Sequence, residues 1–272
     1  MKRNVVFMFN VKIENSKLGG DRWSEDRSDP YIYGVKSWEH WCKKNDSDLY
    51  VLDELFFPNE EMAVPWQKFY IFDLLESNGV DYDQIMYVDA DMIVHPDCPN
   101  VFEMSDRKYC FVHNNGSYDW VLRSMENYSK YFFNGYMFDW WEYYNAGLEI
   151  YNEKHRDFAK KVINFYNENK ENLTQVERKF HCGTVQTPVN FLIHLENIDY
   201  KLFPYEYNMS DLNRKELLDD RLMFTEIGWV YHFSSIPNNS LGFINHISYW
   251  SRSRIKDLGI FKLSEIQLFA SF

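Results

Sequence analysis

The chain has 272 residues, a net charge of −12 at pH 7 and a sequence pI near 5.1. This length allows one large domain with a sizeable core, and the acidic balance argues against nucleic acid or an anionic membrane as the main partner. Aromatic residues make up 19% of the chain, which is high for a mean hydropathy of −0.52. Most of them are expected in the core, and the surplus suits a sugar-binding surface.

The first half of the chain alternates strands and helices. The patterns predict strands at 4–9, 49–52 and 85–88, helices at 31–44 and 66–77, and a polar loop at 10–30 that is either mobile or functional. Alternation of this kind predicts a parallel sheet with helices on its faces. Ligands of such sheets bind beyond the carboxyl ends of the strands.

The second half continues with both element types. The patterns predict strands at 109–113, 145–152, 202–205 and 230–233, a helix at 155–169, and a helix that begins at Thr187-Pro188 and runs through Leu195. The aromatic-rich stretch 132–144 is either packing beneath a loop or a carbohydrate platform. The apolar segment 255–269 predicts a tail that docks on the domain or on an oligomer partner, and the oligomeric state stays open.

Targeting signals and metal-binding cysteine motifs are lacking in the sequence. The four cysteines show no ligand spacing, which is typical of reduced thiols in a cytosolic protein. The apolar run at the N-terminus is too short for a signal peptide, and no stretch approaches the roughly 18 apolar residues of a membrane span. These features predict a soluble cytoplasmic protein without a transmembrane segment.

Residues 87–94, YVDADMIV, carry the strongest chemical signal. An apolar run, read as one buried strand, is interrupted by Asp89 and Asp91. In an extended chain, positions i and i+2 point to the same side, so the two carboxylates aim at one spot. Adjacent carboxylates repel each other unless a cation lies between them, and oxygen ligands suit Mg²⁺ or Mn²⁺. The alternative is a pair of solvated acids at a strand end.

Several segments together resemble a known family. These are the helix with Trp66 and Lys68, YVDADMIV, YNAGLEIYN with the following helix, VYHFSS, and in part VQTPVN. Over residues 4–245 their order resembles the GT-A glycosyltransferases, nearest to the retaining family 8 that includes glycogenin and the bacterial lipopolysaccharide galactosyltransferases. The resemblance implies an α/β, Rossmann-like GT-A domain over 1–250, with a mostly parallel central sheet flanked by helices, and a helical tail at 251–272.

The resemblance also implies a metal-dependent transfer of sugar from a nucleotide-sugar, most often a UDP-sugar, to a saccharide or other hydroxyl acceptor. Asp89, Asp91 and His232 would bind Mn²⁺ or Mg²⁺, with Asp89 also near the donor ribose. Asp91 would thereby belong to the catalytic set.

The other residues carried over from the family belong to the donor side. Lys68 would reach the donor sugar or the diphosphate. Asn145 and Gln186 would contact the donor sugar, with Gln186 beside the anomeric carbon and Asn190 supporting it.

Two departures from the family pattern concern the donor. Val185 stands where the family has an acid, and residues 234–238 read SSIPN where the family has a glycine and Lys-Pro-Trp. The lysine that would bind the leaving diphosphate is therefore missing. Gln186 is a poor nucleophile, which favours retention by front-face attack over a covalent intermediate, with Glu149 as the alternative nucleophile.

Two other functions remain open. A haloacid-dehalogenase-like phosphatase also carries an Asp-x-Asp motif after an apolar strand. A catalytically inactive sugar- or nucleotide-binding module could keep the fold without turnover, as the missing lysine and Val185 suggest.

Overall fold

The computed structural model describes residues 2–11, 28–210 and 228–233. Most of the predicted 10–30 loop, the departure at 234–238 and the predicted tail at 251–272 lie outside these residues. No helix in the described ranges is long and apolar enough to span a membrane. All four cysteines are buried and unpaired.

The described chain contains eight strands and six α-helices. The strands are β1 Arg3–Phe9, β2 Ser47–Leu52, β3 Tyr82–Val88, β4 Met92–Val94, β5 Tyr109–His113, β6 Tyr144–Tyr151, β7 Tyr200–Phe203 and β8 Val230–His232. The helices are α1 Ser28–Lys44, α2 Val64–Gln67, α3 Ile71–Ser77, α4 Tyr118–Phe132, α5 Arg156–Phe180 and α6 Gln186–Leu195. Short 3₁₀ turns cover Lys68–Tyr70, Trp140–Glu142, Glu153–His155 and Tyr205–Tyr207.

Six strands form the central sheet in the order β2-β1-β3-β6-β5-β7. The first three strands are parallel, as the alternation of strands and helices predicts. β6 runs antiparallel to both β3 and β5. β5 and its parallel neighbour β7 therefore run in the same direction as the first three strands. The predicted α/β fold with a mostly parallel sheet is confirmed.

Both faces of the sheet are covered, so the strands are apolar on both sides. Successive residues of β1 point to opposite faces: Phe7 belongs to one core cluster and Met8 to the other. Trp38 and Trp41 of α1 fill the second cluster, and Tyr128 of α4 is fully buried in the first. Within the part of the chain that the structure describes, most aromatic side chains lie in the core, as predicted. Burial on both faces is the usual reason why parallel strands lack polar alternation.

The Asp-x-Asp stretch is not one strand, and this prediction was wrong. β3 ends at Val88, and a tight turn closed by a hydrogen bond from Met92 N to Asp89 O (3.1 Å) leads into β4. Among the described residues, β4 pairs with β8 alone, in a separate two-stranded antiparallel sheet with Met92 opposite His232. The two aspartates therefore project from a turn between two sheets, where two carboxylates can converge more closely than along a strand.

Helix boundaries differ from the predictions in several places, and α1 begins at Ser28 rather than at residue 31. The predicted helix at 66–77 is interrupted by the 3₁₀ turn Lys68–Tyr70. α5 extends past the predicted end at 169, because Leu173 and Val176 continue its buried face, and it ends where His181 adopts a left-handed conformation with φ 49°. Pro188, predicted at the first position of a helix, is the third residue of α6.

Candidate metal centre

Three side chains converge at the carboxyl edge of the sheet. His232 Nε2 lies 3.3 Å from Asp91 Oδ1 and 3.6 Å from Asp89 Oδ2. One ligand atom from each residue falls within 4.8 Å of the others. An octahedral cation with bonds of about 2.1 Å requires neighbouring ligand atoms roughly 3–4 Å apart, and the two distances from His232 fall in this range. A set of three protein ligands leaves further positions for oxygens of a substrate.

The electrostatics of the cluster favour a cation. Burial raises the pKa of Asp89 to about 6, an effect that His232 opposes and Asp91 reinforces. Burial alone lowers the pKa of His232, but Asp91 and Asp89 together outweigh burial and raise it. A divalent ion between the three side chains would relieve the repulsion between the two carboxylates and would displace a proton held by Asp89 or His232.

Helix α1 supports the turn that carries the aspartates. A Cβ atom on Gly34 would lie 2.2 Å from Ala90 O and 2.8 Å from Met92 O, so only glycine allows this close approach. Ser37 Oγ donates to Gly34 O (2.8 Å) and accepts from Val94 N (3.2 Å). The backbone on both sides of Asp91 is therefore held by one turn of α1.

A chain of amide side chains orients His232. Gly147 N donates to Asn145 Oδ1 (2.9 Å), Asn208 Nδ2 donates to the same oxygen (3.0 Å), and Asn208 Oδ1 lies 3.0 Å from His232 Nδ1. Because the backbone N–H of Gly147 can only donate, it fixes the orientation of both amides. The remaining Asn208 oxygen must accept from Nδ1–H, which leaves Nε2 facing the carboxylates.

A bulge in β6 underlies this arrangement. Glu149 pairs with Phe111 of β5, but the next pair joins Asn145 to Val112, so residues 146–148 have no partner on β5. Bulges of this kind redirect side chains and are frequent beside active sites. Here the bulge places the backbone of Gly147 against the ring of His232.

The backbone of the bulge is held by residues that the sequence singled out. Asp89 N donates to Gly147 O (2.9 Å), Lys68 Nζ donates to Ala146 O (2.8 Å), and Ala146 N donates to Gln186 Oε1 (3.0 Å). The structure thus brings Lys68, Asn145 and Gln186 to one place beside the metal centre. Their described contacts are with the backbone and with other side chains of the protein, among them Glu149 and Asn208, and contact with a donor stays a prediction.

Lys68 forms a buried ion pair. Its Nζ lies 2.9 Å from Glu149 Oε1, and Tyr109 OH donates to Glu149 Oε2 (3.0 Å). Lys68 is 2% exposed and Glu149 is fully buried. The resemblance implies that Lys68 reaches the donor, but the structure points its ammonium inward.

Asn190 and Val185 also lie in the interior. Asn190 Nδ2 donates to Tyr144 O (3.1 Å) and to Gln186 O (2.8 Å), and Asn190 Oδ1 accepts from Tyr144 N (2.9 Å). Asn190 therefore connects the start of β6 to α6. This agrees with the prediction that Asn190 supports Gln186. Val185 is buried directly before α6, where it offers no carboxylate to a sugar hydroxyl.

Sequence reasoning missed three residues of the site. Tyr87 OH donates to Asp89 Oδ1, and burial together with Asp89 raises the pKa of Tyr87, so the hydroxyl remains a donor. Its position two residues before Asp89 was a usable signal. Asn208 and Gly34 offered none, because their roles depend on elements distant in sequence.

The fold and the metal centre together define a class. The chain has the GT-A glycosyltransferase fold: strands in Rossmann-like order, an antiparallel β6, and an Asp-x-Asp turn facing a histidine at the carboxyl edge. The predicted GT-A fold is confirmed. Assignment to family 8 stays a prediction.

Comparison with known proteins agrees at the level of fold. Neither a protein-family model nor a curated protein matches the sequence. One match is the crystal structure of a glycosyltransferase involved in the glycosylation of the major capsid of PBCV-1. Its TM-score is 0.53 and its sequence identity 14%, over 86% of this chain and 93% of that one. The bifunctional glycosyltransferase WbbM matches with a TM-score of 0.50 and 13% identity, over 94% of this chain and 51% of WbbM. The phosphatase alternative gains no support from either match.

Proposed function

We propose that this protein is a metal-dependent glycosyltransferase that moves a sugar from a nucleotide-sugar, in first place a UDP-sugar, to a hydroxyl of a saccharide. The observation that carries the proposal is the convergence of Asp89, Asp91 and His232 at the carboxyl edge of a GT-A sheet. Bound Mn²⁺ or Mg²⁺ would supply Lewis-acid stabilisation of the negative charge on the leaving diphosphate. An acidic chain without such an ion would repel the donor.

In this proposal, several protein residues hold the metal ligands in place. Tyr87 and the backbone of Gly147 hold Asp89, and Asn208 holds His232. Asn145 and Gln186 lie beside the bulge at the same edge of the sheet, where they border the space for the donor sugar. Preorganised groups of this kind lower the barrier because they need not rearrange during the reaction.

Transfer proceeds with retention by front-face attack. The support is that Glu149, the alternative nucleophile, is fully buried with its oxygens bound to Lys68 and Tyr109. Val185 replaces the acid that the family carries beside Gln186. The expected product has the anomeric configuration of the donor, which proton NMR of the product measures. A product of opposite configuration would contradict the proposal.

Nucleotide binding tests the proposed function directly. With Mn²⁺ present, one nucleotide among UDP, GDP, ADP and CMP at a hundred times its Kd is expected to stabilise the fold by about 2.7 kcal/mol. For a domain of this size the melting temperature rises by roughly 5–10 °C. Asp91→Asn is expected to abolish the shift, because it removes one charged ligand of the ion.

The matched control is Asp106→Asn, which alters an exposed carboxylate paired with Lys201 and should keep the full shift. Absence of any nucleotide shift in the wild type, with either ion, would remove the main support for the proposal. A metal-dependent shift without transfer or donor hydrolysis would favour the inactive binding module.

A further inference from the structure

Three large aromatic side chains lie exposed beside the metal centre's edge of the sheet. Tyr118 begins α4, and Trp140 and Trp141 form the 3₁₀ turn that precedes β6. They are 54%, 40% and 60% exposed, respectively. We call these three residues the aromatic ledge. Contiguous exposed apolar surface of this kind marks an interaction site more often than chance.

The ledge is stepped rather than flat. The rings of Tyr118 and Trp140 lie 4.9 Å apart at 79°, and those of Trp140 and Trp141 lie 5.3 Å apart at 88°. In each pair the edge of one ring is directed at the face of the other, so the ledge presents ring faces in more than one orientation. Exposed aromatic faces suit a pyranose ring, because it presents C–H groups on its faces and hydroxyls around its rim.

The ledge is also held in place. Asp139 Oδ1 accepts a hydrogen bond from Trp141 N (3.0 Å), and the Trp141 ring packs against the His113 ring at 4.6 Å. The rings therefore lose little freedom on binding a ligand, which favours affinity.

The ledge adjoins the metal centre along the sheet. His113, beneath Trp141, is paired with Tyr144, and the next residue of β6 is Asn145, the start of the amide chain to His232. Trp141 precedes Asn145 by four residues, so the backbone of the ledge lies within about 14 Å of Asn145. Two or three linked pyranose rings span this distance.

The charges around the ledge favour a neutral ligand. Asp119 and Asp139 are exposed carboxylates that can accept hydrogen bonds from hydroxyls. Arg123, the cation on the same turn of α4, faces Asp119 and two backbone carbonyls. Burial lowers the pKa of His113, so this ring adds no positive charge at neutral pH. Phosphate-rich surfaces would meet carboxylates here.

We propose that the aromatic ledge binds the acceptor, a neutral oligosaccharide of two or more pyranose units whose terminal hydroxyl extends to the metal centre. This inference rests on the proposed function. The acceptor oxygen forms a bond to the anomeric carbon of the donor while the bond from that carbon to the diphosphate oxygen breaks. The hydroxyl proton leaves with the nucleoside diphosphate, so charge and atoms balance.

The test is a microarray of neutral oligosaccharides, probed with wild type and with Trp141→Ala, followed by titration of the best-bound oligosaccharide. Wild type is expected to bind a set that shares one terminal disaccharide, and Trp141→Ala is expected to weaken that binding at least tenfold. The Mn²⁺-dependent nucleotide shift should stay unchanged in Trp141→Ala. The control Tyr131→Ala removes another exposed aromatic ring of α4, which packs on Phe180, and should bind like wild type.

The possible failures are distinguishable. If nucleotide binds but no oligosaccharide does, the ledge proposal is overturned and the proposed function stands. The same holds if Trp141→Ala binds the oligosaccharide as tightly as wild type. Oligosaccharide binding without any nucleotide shift overturns the proposed function and leaves the ledge only as a sugar-binding surface. Two further results would assign the ledge to another occupant and overturn the proposal: Trp141-dependent binding to vesicles of phosphatidylcholine and phosphatidylglycerol, or Trp141-dependent dimerisation.

Discussion

Replacement of Gly147 by alanine is expected to weaken Mn²⁺ binding by about a hundredfold or more. The added Cβ atom would lie 2.5 Å from His232 Cε1 and 2.8 Å from His232 Nδ1. Such contacts cannot exist, so either the ring or the bulge must move. Overpacking by one methyl group costs about 1–3 kcal/mol, and loss of the ligand adds to that cost, since each 1.4 kcal/mol is tenfold in affinity.

Electron paramagnetic resonance of free Mn²⁺ measures this affinity without any turnover. Asn208→Ala is expected to fall between wild type and Gly147→Ala, because loss of a partner behind a metal-bound histidine typically costs about 10–100-fold. Gly135→Ala is the control, since no atom of the described residues lies within 4 Å of its added Cβ, although its φ of +82° adds strain. Unchanged Mn²⁺ affinity in both Gly147→Ala and Asn208→Ala would show that His232 is not a ligand.

Replacement of Lys68 by methionine is expected to destabilise the fold by about 3–5 kcal/mol. The reason is that Glu149, fully buried, would lose its only cationic partner among the described residues and become an uncompensated charge. Ala146 O in the bulge would also lose a donor. Urea unfolding monitored by tryptophan fluorescence measures the change in the free energy of unfolding.

The double variant Lys68→Met/Glu149→Gln separates the cause. It removes both charges, keeps a hydrogen-bonding partner for Tyr109, and is expected to recover most of the lost stability. The control Lys108→Met breaks an exposed pair with Asp199 and should cost less than about 1 kcal/mol. If Lys68→Met instead keeps full stability and loses nucleotide affinity, Lys68 contacts the donor as the resemblance implies, and its internal role is wrong.

The roles of Lys68 and Gln186 show what a resemblance transfers and what it does not. Both residues lie near the Asp-x-Asp turn, and their predicted contact with the donor stays a prediction. In this structure, however, their polar atoms hold the backbone of the bulge at Ala146. The position of a residue in a motif predicts that it lies near a site. The partner of each polar atom depends instead on which atoms the folded chain brings within about 3 Å.

The sequence by itself determined the parallel half of the sheet, the helices on its faces and the approximate place of the site. These features follow from local periodicity, since a strand of continuous apolar residues must be covered on both faces. The closeness of Asp89 and Asp91 is likewise local. The turn between them was missed because Met92 to Val94 is as apolar as β3, and periodicity alone does not reveal that a chain changes sheets.

The tertiary structure alone decided how the site is assembled. The antiparallel pairing of β4 with β8 brings His232 to the aspartates, and the bulge in β6 sets the position of its ring. Asn208 and Gly34 become meaningful only through these contacts. The reason is that both residues act at short range. A hydrogen bond or the absence of a Cβ atom acts over about 3 Å, and only the folded chain brings residues so distant in sequence that close together.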